Sequence, residues 1–336
     1  MRLKLSAASV MRILESLYRV ELSRDAWLAG VLDAAAPILA GDAGIGMLLY
    51  DIASDTELRV DAIDGRGLPP GWLQAGLDMY RDPQLATWMI GGYRSMLCEA
   101  MNEVVRDPRV QDHYPGGGEV RGQVIMNGGD GSGKGCALHL FSNRACAMTA
   151  PERDVLSRIA THLATAYRLQ RRLSASGNPG GDGVEAVLTP GGRVEHAEGE
   201  AKEPQVRSAL TLAVQQRELS RRAAASRPDR VLRARRGLIA ARWTLVDDYQ
   251  RGGRRYVLAR ENEPDPGGPP PLSRREQQVT ALAALGRSNK LIAYELGLAH
   301  STVRVLVSRA CVKLGVSSRS DLVVRLAGRL ELAERR

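Results

Sequence analysis

Hydrophobic and polar positions in the first 175 residues follow two periods, one helical and one extended. Helical spacing of apolar residues predicts helices at 24–39, 72–80 and 150–173, the last with Pro151 near its first turn. Short apolar runs typical of strands occupy 44–52, 57–63, 123–127 and 136–142, and a turn at 53–55 separates the first two. This alternation predicts an α+β domain over residues 1–175, the N-terminal block.

Two stretches rich in turn-forming residues divide the remainder of the chain. The stretch 174–183 is small, polar and rich in Gly, and 261–271 is rich in Pro and Gly, which do not propagate a helix. Between them, residues 184–264, the middle block, show hairpin patterns around Pro190-Gly191-Gly192 and Gly252-Gly253, with a polar helical region between the hairpins. The predicted domains are 1–175, 184–264 and 272–336, with a linker at 265–271.

Residues 272–336, the C-terminal block, read as four short helices. Ser273 and Glu276 form an S-x-x-E capping box at the start of the first helix. Ser288 can cap the second helix, and Gly297 marks the end of that helix. The third helix runs to about Leu314. Two helices joined by a four-residue turn that contains Gly are typical of a helix-turn-helix.

The third helix has two chemically different faces. Its apolar stripe consists of Val303, Val307, Ala310 and Leu314, and its opposite face of Ser301, Arg304, Val305 and Ser308. Arg binds guanine bidentately, Ser donates or accepts, and Val contacts a thymine methyl group. The flanking cations Lys290, Arg309 and Lys313 suit phosphates, which position a protein on DNA without specifying sequence. The alternative interpretation is a plain helical bundle with a solvated charged face.

The residues of this block resemble the LuxR-type (GerE-like) DNA-binding domain of bacterial transcription regulators. The resemblance covers about 60 residues and is carried by the motifs L272-S-x-R-E276, L285-G-x-S-N-K-x-I-A-x-E-L296, S301-T-V-R304 and K313-L-G-V-x-S-R319. It implies that Arg304, Val305 and Ser308 face bases and that Lys290, Thr302 and Lys313 lie near phosphates.

The resemblance also implies a dimer on DNA, formed through the fourth helix. The seam residues would be Leu322, Val323, Leu326 and Leu330, although the same residues can equally pack within the domain. Two positions depart from the family pattern. Leu306 replaces a polar residue, which puts a backbone contact there in doubt. Ala299 replaces the usual Ser cap, so we expect the third helix to start later, at about Ser301.

The charge of the chain lies mainly towards its C-terminal end. The formal net charge is +9, and residues 266–336 hold 12 basic and 5 acidic side chains, a net of +7, whereas residues 1–175 have a net of −1. A basic end is compatible with a polyanion partner, and equally with solubility alone. No apolar run is long enough for a membrane span, and charge interrupts the N-terminal apolar positions too early for a signal peptide. The four cysteines have no C-x-x-C spacing, so we expect reduced thiols, no metal site and a cytoplasmic protein.

The Gly-rich stretch 128–136 raises the question of nucleotide hydrolysis. It matches the phosphate-binding P-loop except that Gly135 stands in place of the Ser or Thr that binds Mg²⁺. A P-loop also leads into a helix, whose N-terminus holds the phosphates, and here a strand-like run follows. The sequence therefore favours a hairpin loop, disfavours a P-loop nucleotide hydrolase and predicts that the chain is not an enzyme.

The first two blocks resemble sensor domains by the order of their elements. The N-terminal block resembles a GAF domain, which implies a small-ligand pocket between sheet and helices. Tyr80, Trp88, Met89 and Tyr93 can line that pocket or simply form core. The middle block resembles a PAS domain, without a haem or flavin signature, so no cofactor is expected. The fold class is therefore multidomain: GAF-like and PAS-like α+β domains followed by an all-α four-helix domain.

His196 is expected at the surface of a strand, and His139 and His162 in the core or at the surface, none as a metal ligand.

These features together predict a cytoplasmic, homodimeric transcription regulator that binds double-stranded DNA. A small-molecule effector or a protein partner would act through the first two blocks. The alternative is a helix-turn-helix protein that docks on RNA polymerase without binding DNA specifically. Neither the effector, the operator nor the sign of regulation follows from the sequence.

Overall fold

The N-terminal block is built around a five-stranded antiparallel sheet with the strand order β2-β1-β5-β4-β3. The computed structural model describes residues 5–54, 56–113, 120–129, 133–176, 184–222, 232, 243–251, 254–261, 272–314 and 316–324. The strands are β1 Ile45–Ile52, β2 Leu58–Arg66, β3 Cys98–Ala100, β4 Gly122–Asn127 and β5 Lys134–Ser142. The four predicted strands are confirmed as two hydrogen-bonded pairs, with Leu48 opposite Ile63 and Ile125 opposite His139.

Helices cover both faces of this sheet. They are α1 Ala7–Leu17, α2 Arg24–Leu39, α3 Trp72–Arg81, α4 Pro83–Ser95, α5 Asn102–Arg106, α6 Pro108–Gln111 and α7 Ala150–Ser176. Successive residues of a strand point to opposite faces, so Met47 and Leu49 pack with α1, α2 and α7, whereas Leu48 and Tyr50 pack with α3 and α4. The helices predicted at 24–39, 72–80 and 150–173 are confirmed, and α7 continues to Ser176, into the stretch predicted as a linker.

The middle block has a four-stranded sheet in the order β7-β6-β9-β8. Its elements are β6 Val184–Leu188, β7 Val194–Ala197, α8 Pro204–Arg222, β8 Trp243–Arg251 and β9 Arg254–Glu261. Both predicted hairpins are confirmed, although Gly252 and Gly253 and the predicted linker 265–271 lie outside the described residues. One continuous cluster of buried side chains joins this block to the N-terminal block and includes Ala186, Leu210 and Val257.

The C-terminal block consists of α9 Arg274–Ala284, α10 Asn289–Glu295, α11 His300–Leu314 and a last helical segment over 319–324. The capping box is present: the Ser273 amide donates to Glu276 Oε2 at 2.8 Å, and the Glu276 amide donates to Ser273 Oγ at 3.4 Å. Gly297 turns the chain between α10 and α11 with a φ of 66°, a left-handed conformation that favours glycine.

Helix α11 begins at His300, one residue before the expected Ser301. The amide of Val303 donates to the carbonyl of Ala299 at 3.1 Å, so the helix begins at His300. The start therefore lies within one residue of the expected one, and the carbonyl of Ala299 accepts the first helical bond without a capping side chain at that position.

The Gly-rich stretch is a hairpin loop, as the sequence favoured. Strand β4 ends at Asn127, β5 begins at Lys134, and the two strands pair antiparallel; residues 130–132 of the loop lie outside the described residues. The ammonium group of Lys134 is ion-paired with the carboxylate of Asp51 on the neighbouring strand β1. A strand follows the loop, so this segment has no helix N-terminus directed at a phosphate. In the described part of the chain, no helix has the length and apolar character needed to cross a membrane.

Candidate nucleic-acid interface and buried cavity

Helix α11 has one face in the core of the C-terminal block and the other in solvent. The inward face consists of the buried residues Val303, Val307, Ala310 and Leu314. Arg304, Val305 and Ser308 are exposed, and Val305 keeps 48% of its surface accessible. Positions i, i+1 and i+4 of a helix lie on one side of it, so the structure brings the three predicted base-reading side chains together.

The predicted phosphate-binding residues differ in their exposure and in whether an acidic side chain already contacts them. Thr302 and Arg309 are exposed on α11. On α10, Lys290 is 73% exposed and its Nζ lies 3.6 Å from Asp154 Oδ1 of α7. An exposed ion pair of this kind stabilises the fold by less than about 1 kcal/mol. The Lys290 ammonium can therefore turn from Asp154 to a phosphate at little cost.

Lys313 is held within the C-terminal block. Its Nζ lies 2.6 Å from Oε2 of Glu276, whose carboxylate is almost completely buried. The hydrogen bond from Lys313, followed by those from Ser273, lowers the pKa of Glu276 below its ordinary value. The pair thus joins the start of α9 to the end of α11, and Lys313 has a structural partner that the sequence did not indicate.

The residues expected to form the dimer seam are not all exposed. Leu322 is fully buried in the core of the C-terminal block, so its side chain takes the packing role that the sequence left open. Val323 is partly buried, and Val324, which was not among the expected residues, is 72% exposed. The expected seam residues Leu326 and Leu330 lie outside the described residues.

Tyr294 of α10 is buried against the N-terminal block, a contact that the sequence did not predict. It belongs to the same cluster of buried side chains as the N-terminal block. Its hydroxyl group lies 3.0 Å from His162 Nε2 and donates to the carbonyl of Leu232 at 2.8 Å. The other nitrogen of His162, Nδ1, lies 2.8 Å from the hydroxyl of Tyr18, and the Arg158 guanidinium lies 5.3 Å from the centre of the Tyr294 ring.

Arg287 makes a second contact between the C-terminal and N-terminal blocks. Its Nη2 donates to the carbonyl of Gly129, after β4, at 3.0 Å. Its Nη1 lies 3.4 Å from Oε2 of Glu295, and both side chains are almost completely buried. Breaking a buried ion pair on one side leaves an uncompensated charge. Arg287 therefore has a fixed place between α10 and the β4–β5 hairpin.

The LuxR-type motif leaves positions 287 and 294 unspecified, which is why sequence reasoning passed over both residues. One signal was available for Tyr294. The chain is only 4% aromatic, and a tyrosine on the short second helix of a small helical block is a large, mainly apolar group without an obvious place in that block. Nothing comparable in the sequence distinguishes Arg287 from the other arginines.

A cavity of about 320 Å³ lies between the sheet and helices α3 to α6 of the N-terminal block. Tyr80, Trp88, Met89 and Tyr93, the four residues that the sequence suggested for a pocket, all line it. Trp88 is 40% exposed, whereas Tyr80 and Tyr93 are buried and also belong to the hydrophobic core. Tyr80 and Tyr93 therefore belong to both the core and the cavity lining, and Met89 packs against that core, whereas Trp88 belongs to the lining without being buried in the core.

One wall of the cavity carries a chain of hydrogen bonds. The hydroxyl groups of Tyr80 and Tyr93 lie 2.6 Å apart, and Tyr93 Oη lies 3.1 Å from His139 Nε2. His139 Nδ1 lies 2.7 Å from Gln123 Nε2. Burial lowers the pKa of His139 to about 4, so the imidazole is neutral at pH 7.

Metal ligation has no support in the described part of the chain, where no group of three or more His, Cys, Asp or Glu side chains is placed to hold an ion. All four cysteines are buried free thiols, and burial raises the pKa of Cys98 to about 12. Thiolates rather than thiols bind metals, so Cys98 is an unsuitable ligand. His196 is exposed beside Glu198, which confirms its predicted surface position.

Comparison with known proteins places the C-terminal block in a characterised family. Residues 270–326 match the family described as "Bacterial regulatory proteins, luxR family". The spore germination protein GerE of Bacillus subtilis (strain 168) is 45% identical over 65 residues, which are 19% of this chain and 88% of that protein.

Solved structures give a weaker comparison. The crystal structure of Escherichia coli SdiA aligns with a TM-score of 0.30 and 11% identity, over 95% of each chain. SdiA in complex with octanoyl-rac-glycerol aligns with a TM-score of 0.27 and 10% identity, over 97% of this chain and 89% of that one. At these scores the alignments do not establish a common fold for the first two blocks.

Proposed function

The chain belongs to the luxR family of bacterial regulatory proteins, and from that premise we propose that it binds a specific DNA sequence through the outward face of α11. Regulators of this family are DNA-binding transcription factors and not enzymes. The observation that carries the proposal is the joint exposure of Arg304, Val305 and Ser308 on a helix whose other face is firmly packed.

Each side chain has a defined role in the proposed complex. In the major groove, Arg304 donates to O6 and N7 of a guanine, Val305 contacts a thymine methyl group, and Ser308 donates to or accepts from a base edge. Lys290, Thr302 and Arg309 contact phosphates on either side. Lys313 contributes little to DNA binding while its ammonium remains bound to Glu276.

The proposed DNA-bound form is a homodimer on two half-sites. The exposed Val324 and the partly buried Val323 support a seam along the last helix, because an apolar side chain as exposed as Val324 gains free energy when a second copy covers it. The predicted residues Leu326 and Leu330 would extend this seam. Leu322 does not belong to it, since it is already part of the domain core.

The N-terminal and middle blocks act in this proposal as GAF-like and PAS-like sensors. Support comes from the cavity in the N-terminal block and from the Tyr294 and Arg287 contacts, which connect that block to α10. These contacts do not cover the outward face of α11, where Arg304, Val305 and Ser308 stay exposed. We therefore propose that a ligand or a protein partner changes the relative orientation of two DNA-binding domains rather than uncovering them. The proposed location is the bacterial cytoplasm, where the DNA and RNA polymerase lie.

Capture of fragmented genomic DNA by the full chain at about 0.15 M salt tests the DNA-reading proposal. Arg304→Ala removes a proposed base contact, and Arg207→Ala, on the exposed side of α8, is the matched control. Enrichment of the same few fragments by the wild type and by Arg207→Ala, with loss in Arg304→Ala, is the expected result. If the wild type enriches no fragment but binds RNA polymerase, the alternative of a protein-docking helix-turn-helix is correct instead.

A further inference from the structure

The cavity of the N-terminal block gathers side chains that are scarce elsewhere. The whole chain has 4 Trp, 9 Tyr, 1 Phe and 9 Met, and five of these aromatic rings and four of these methionines line this one cavity. Methionine is flexible and polarizable and contacts aromatic rings favourably, so a wall of both residue types adapts to an apolar molecule. The volume, about 320 Å³, lies at the lower end of the roughly 300–1,000 Å³ typical of small-molecule sites.

The electrostatics of the cavity restrict the charge of its ligand. Among the described residues that line it, none is an Asp, Glu, Lys or Arg, and His139 is neutral. A charged ligand would lose its hydration on entry without gaining an ion pair, which is strongly unfavourable. The cavity is therefore suited to an uncharged molecule.

The hydrogen-bond chain identifies one polar contact for that molecule. If Gln123 Nε2 donates to Nδ1 of His139, the proton of the imidazole lies on Nε2 and points to Tyr93. The side-chain oxygen of Gln123 then remains as an acceptor, and none of the described residues donates to it. A single O–H or N–H group on the ligand would satisfy it.

We propose that this cavity binds an uncharged, mainly apolar or aromatic small molecule with one hydrogen-bond donor directed at the Gln123 side-chain oxygen. The proposal rests on the proposed sensor role of the N-terminal block and names the class of its ligand. The ligand reaches the cavity beside Trp88, which is the partly exposed aromatic residue of its lining.

Two matched fluorescent probes test the charge requirement on the full chain. N-phenylnaphthylamine is neutral, aromatic and carries one N–H group, and anilinonaphthalene sulfonate has the same ring system with a negative charge. The expected result is saturable binding of the neutral probe at one site per chain, with the sulfonate about tenfold weaker or more. If the sulfonate binds the same site as tightly as the neutral probe, the assignment of an uncharged ligand is wrong.

Variants locate the probe. Val104→Phe adds a ring inside the cavity, and Val312→Phe adds the same ring at an exposed position of α11. Val104→Phe should weaken the neutral probe about tenfold or more and Val312→Phe should not. Met89→Trp, at a partly exposed position of the lining, provides a second filled cavity in case Val104→Phe does not fold. Unchanged binding in both filled variants, or no saturable binding to the wild type, would overturn the proposal.

Gln123→Met tests the polar contact, because it removes the amide but keeps the length of the side chain. It should weaken the neutral probe by roughly two- to tenfold, the usual effect of one hydrogen bond. Equal affinity in this variant would refute the donor contact. DNA capture on the same preparations separates the two proposals: DNA binding without probe binding refutes the ligand class alone, and probe binding without DNA binding refutes the DNA-reading function alone.

Discussion

The hydroxyl of Tyr294 lies 3.0 Å from Nε2 of His162, although the two residues belong to different blocks and are 132 positions apart in sequence. The hydroxyl of Tyr18, the residue after α1, lies 2.8 Å from the other nitrogen of His162, so the end of α1, helix α7 and helix α10 meet at one buried imidazole. A helix of the DNA-binding domain is therefore fixed against the N-terminal block by directional bonds as well as by apolar packing. We therefore expect this contact to set the orientation of α11 relative to the N-terminal block.

Tyr294→Phe tests that consequence, because it keeps the ring and removes only the hydroxyl. The bonds to His162 and Leu232 are lost, and we expect the free energy of unfolding to fall by roughly 1–3 kcal/mol. On paired half-sites with spacers of different length, the wild type should prefer one spacing, and the variant should discriminate several-fold less between spacings. Its preference for individual bases should not change. An unchanged spacing preference would show that the contact does not orient the domain.

Arg304→Ala should change the preference for individual bases and not the preference for half-site spacing. Binding to the specific site is expected to weaken by roughly 1–3 kcal/mol, with relaxed preference at one base pair, because a bidentate contact to one guanine is lost. Arg309→Ala is the matched control on the same helix, and it should weaken specific and random DNA equally. Competition binding with single-base variants of the site distinguishes the two. Equal losses on specific and random DNA for Arg304→Ala would contradict its base-reading role.

Lys290 and Lys313 should separate in their salt dependence. Lys290→Ala removes a proposed phosphate contact and should reduce the slope of log affinity against log salt by about 1 on any DNA. Lys313→Ala should lower the free energy of unfolding instead, because it leaves the buried carboxylate of Glu276 without its ammonium partner.

Urea denaturation and salt titrations on both variants measure these effects. Glu276→Gln is the control for Lys313→Ala, since it removes the carboxylate charge of the same ion pair. A reduced salt slope in Lys313→Ala with unchanged stability would restore Lys313 to the phosphate-binding set that the sequence suggested.

The sequence was most informative where local rules decide the structure. The capping box at Ser273 and the stop at Gly297 depend on residues within a few positions of each other, and both are present as predicted. The packed and exposed faces of α11 follow from helical periodicity alone. Helix α1 was missed although Val10, Ile13, Leu14 and Leu17 have helical spacing. Helix α4 was missed because Gly91 and Gly92 lie within it, and glycine lowers helix propensity.

Contacts between distant segments were beyond sequence reasoning. Nothing near Lys313 in sequence indicates Glu276, and nothing near Tyr294 indicates His162. Both contacts depend on how helices pack after they form. Single-sequence periodicity gives the buried face of a helix but not the identity of the surface that covers it. The four residues suggested for the cavity all line it, although three of them lie on α4, a helix that the sequence did not predict.

His139 should make the stability of the N-terminal block depend on pH. Its pKa is about 4 in the folded chain and about 6.5 when unfolded, so between these values the unfolded state binds more protons and stability falls as the pH falls. From pH 7 to pH 5 this residue should lower the free energy of unfolding by about 2 kcal/mol. Urea denaturation at the two pH values measures the change.

The informative quantity is the difference between variants, because carboxylates also titrate towards acid pH. His139→Gln keeps a polar side chain beside Gln123 and Tyr93 but cannot be protonated in this range, so its loss of stability from pH 7 to pH 5 should be smaller than that of the wild type by about 2 kcal/mol. His196→Gln, at an exposed position, is the control and should lose as much as the wild type. If His139→Gln and the wild type lose the same amount, His139 is not the neutral buried imidazole on which the uncharged cavity depends.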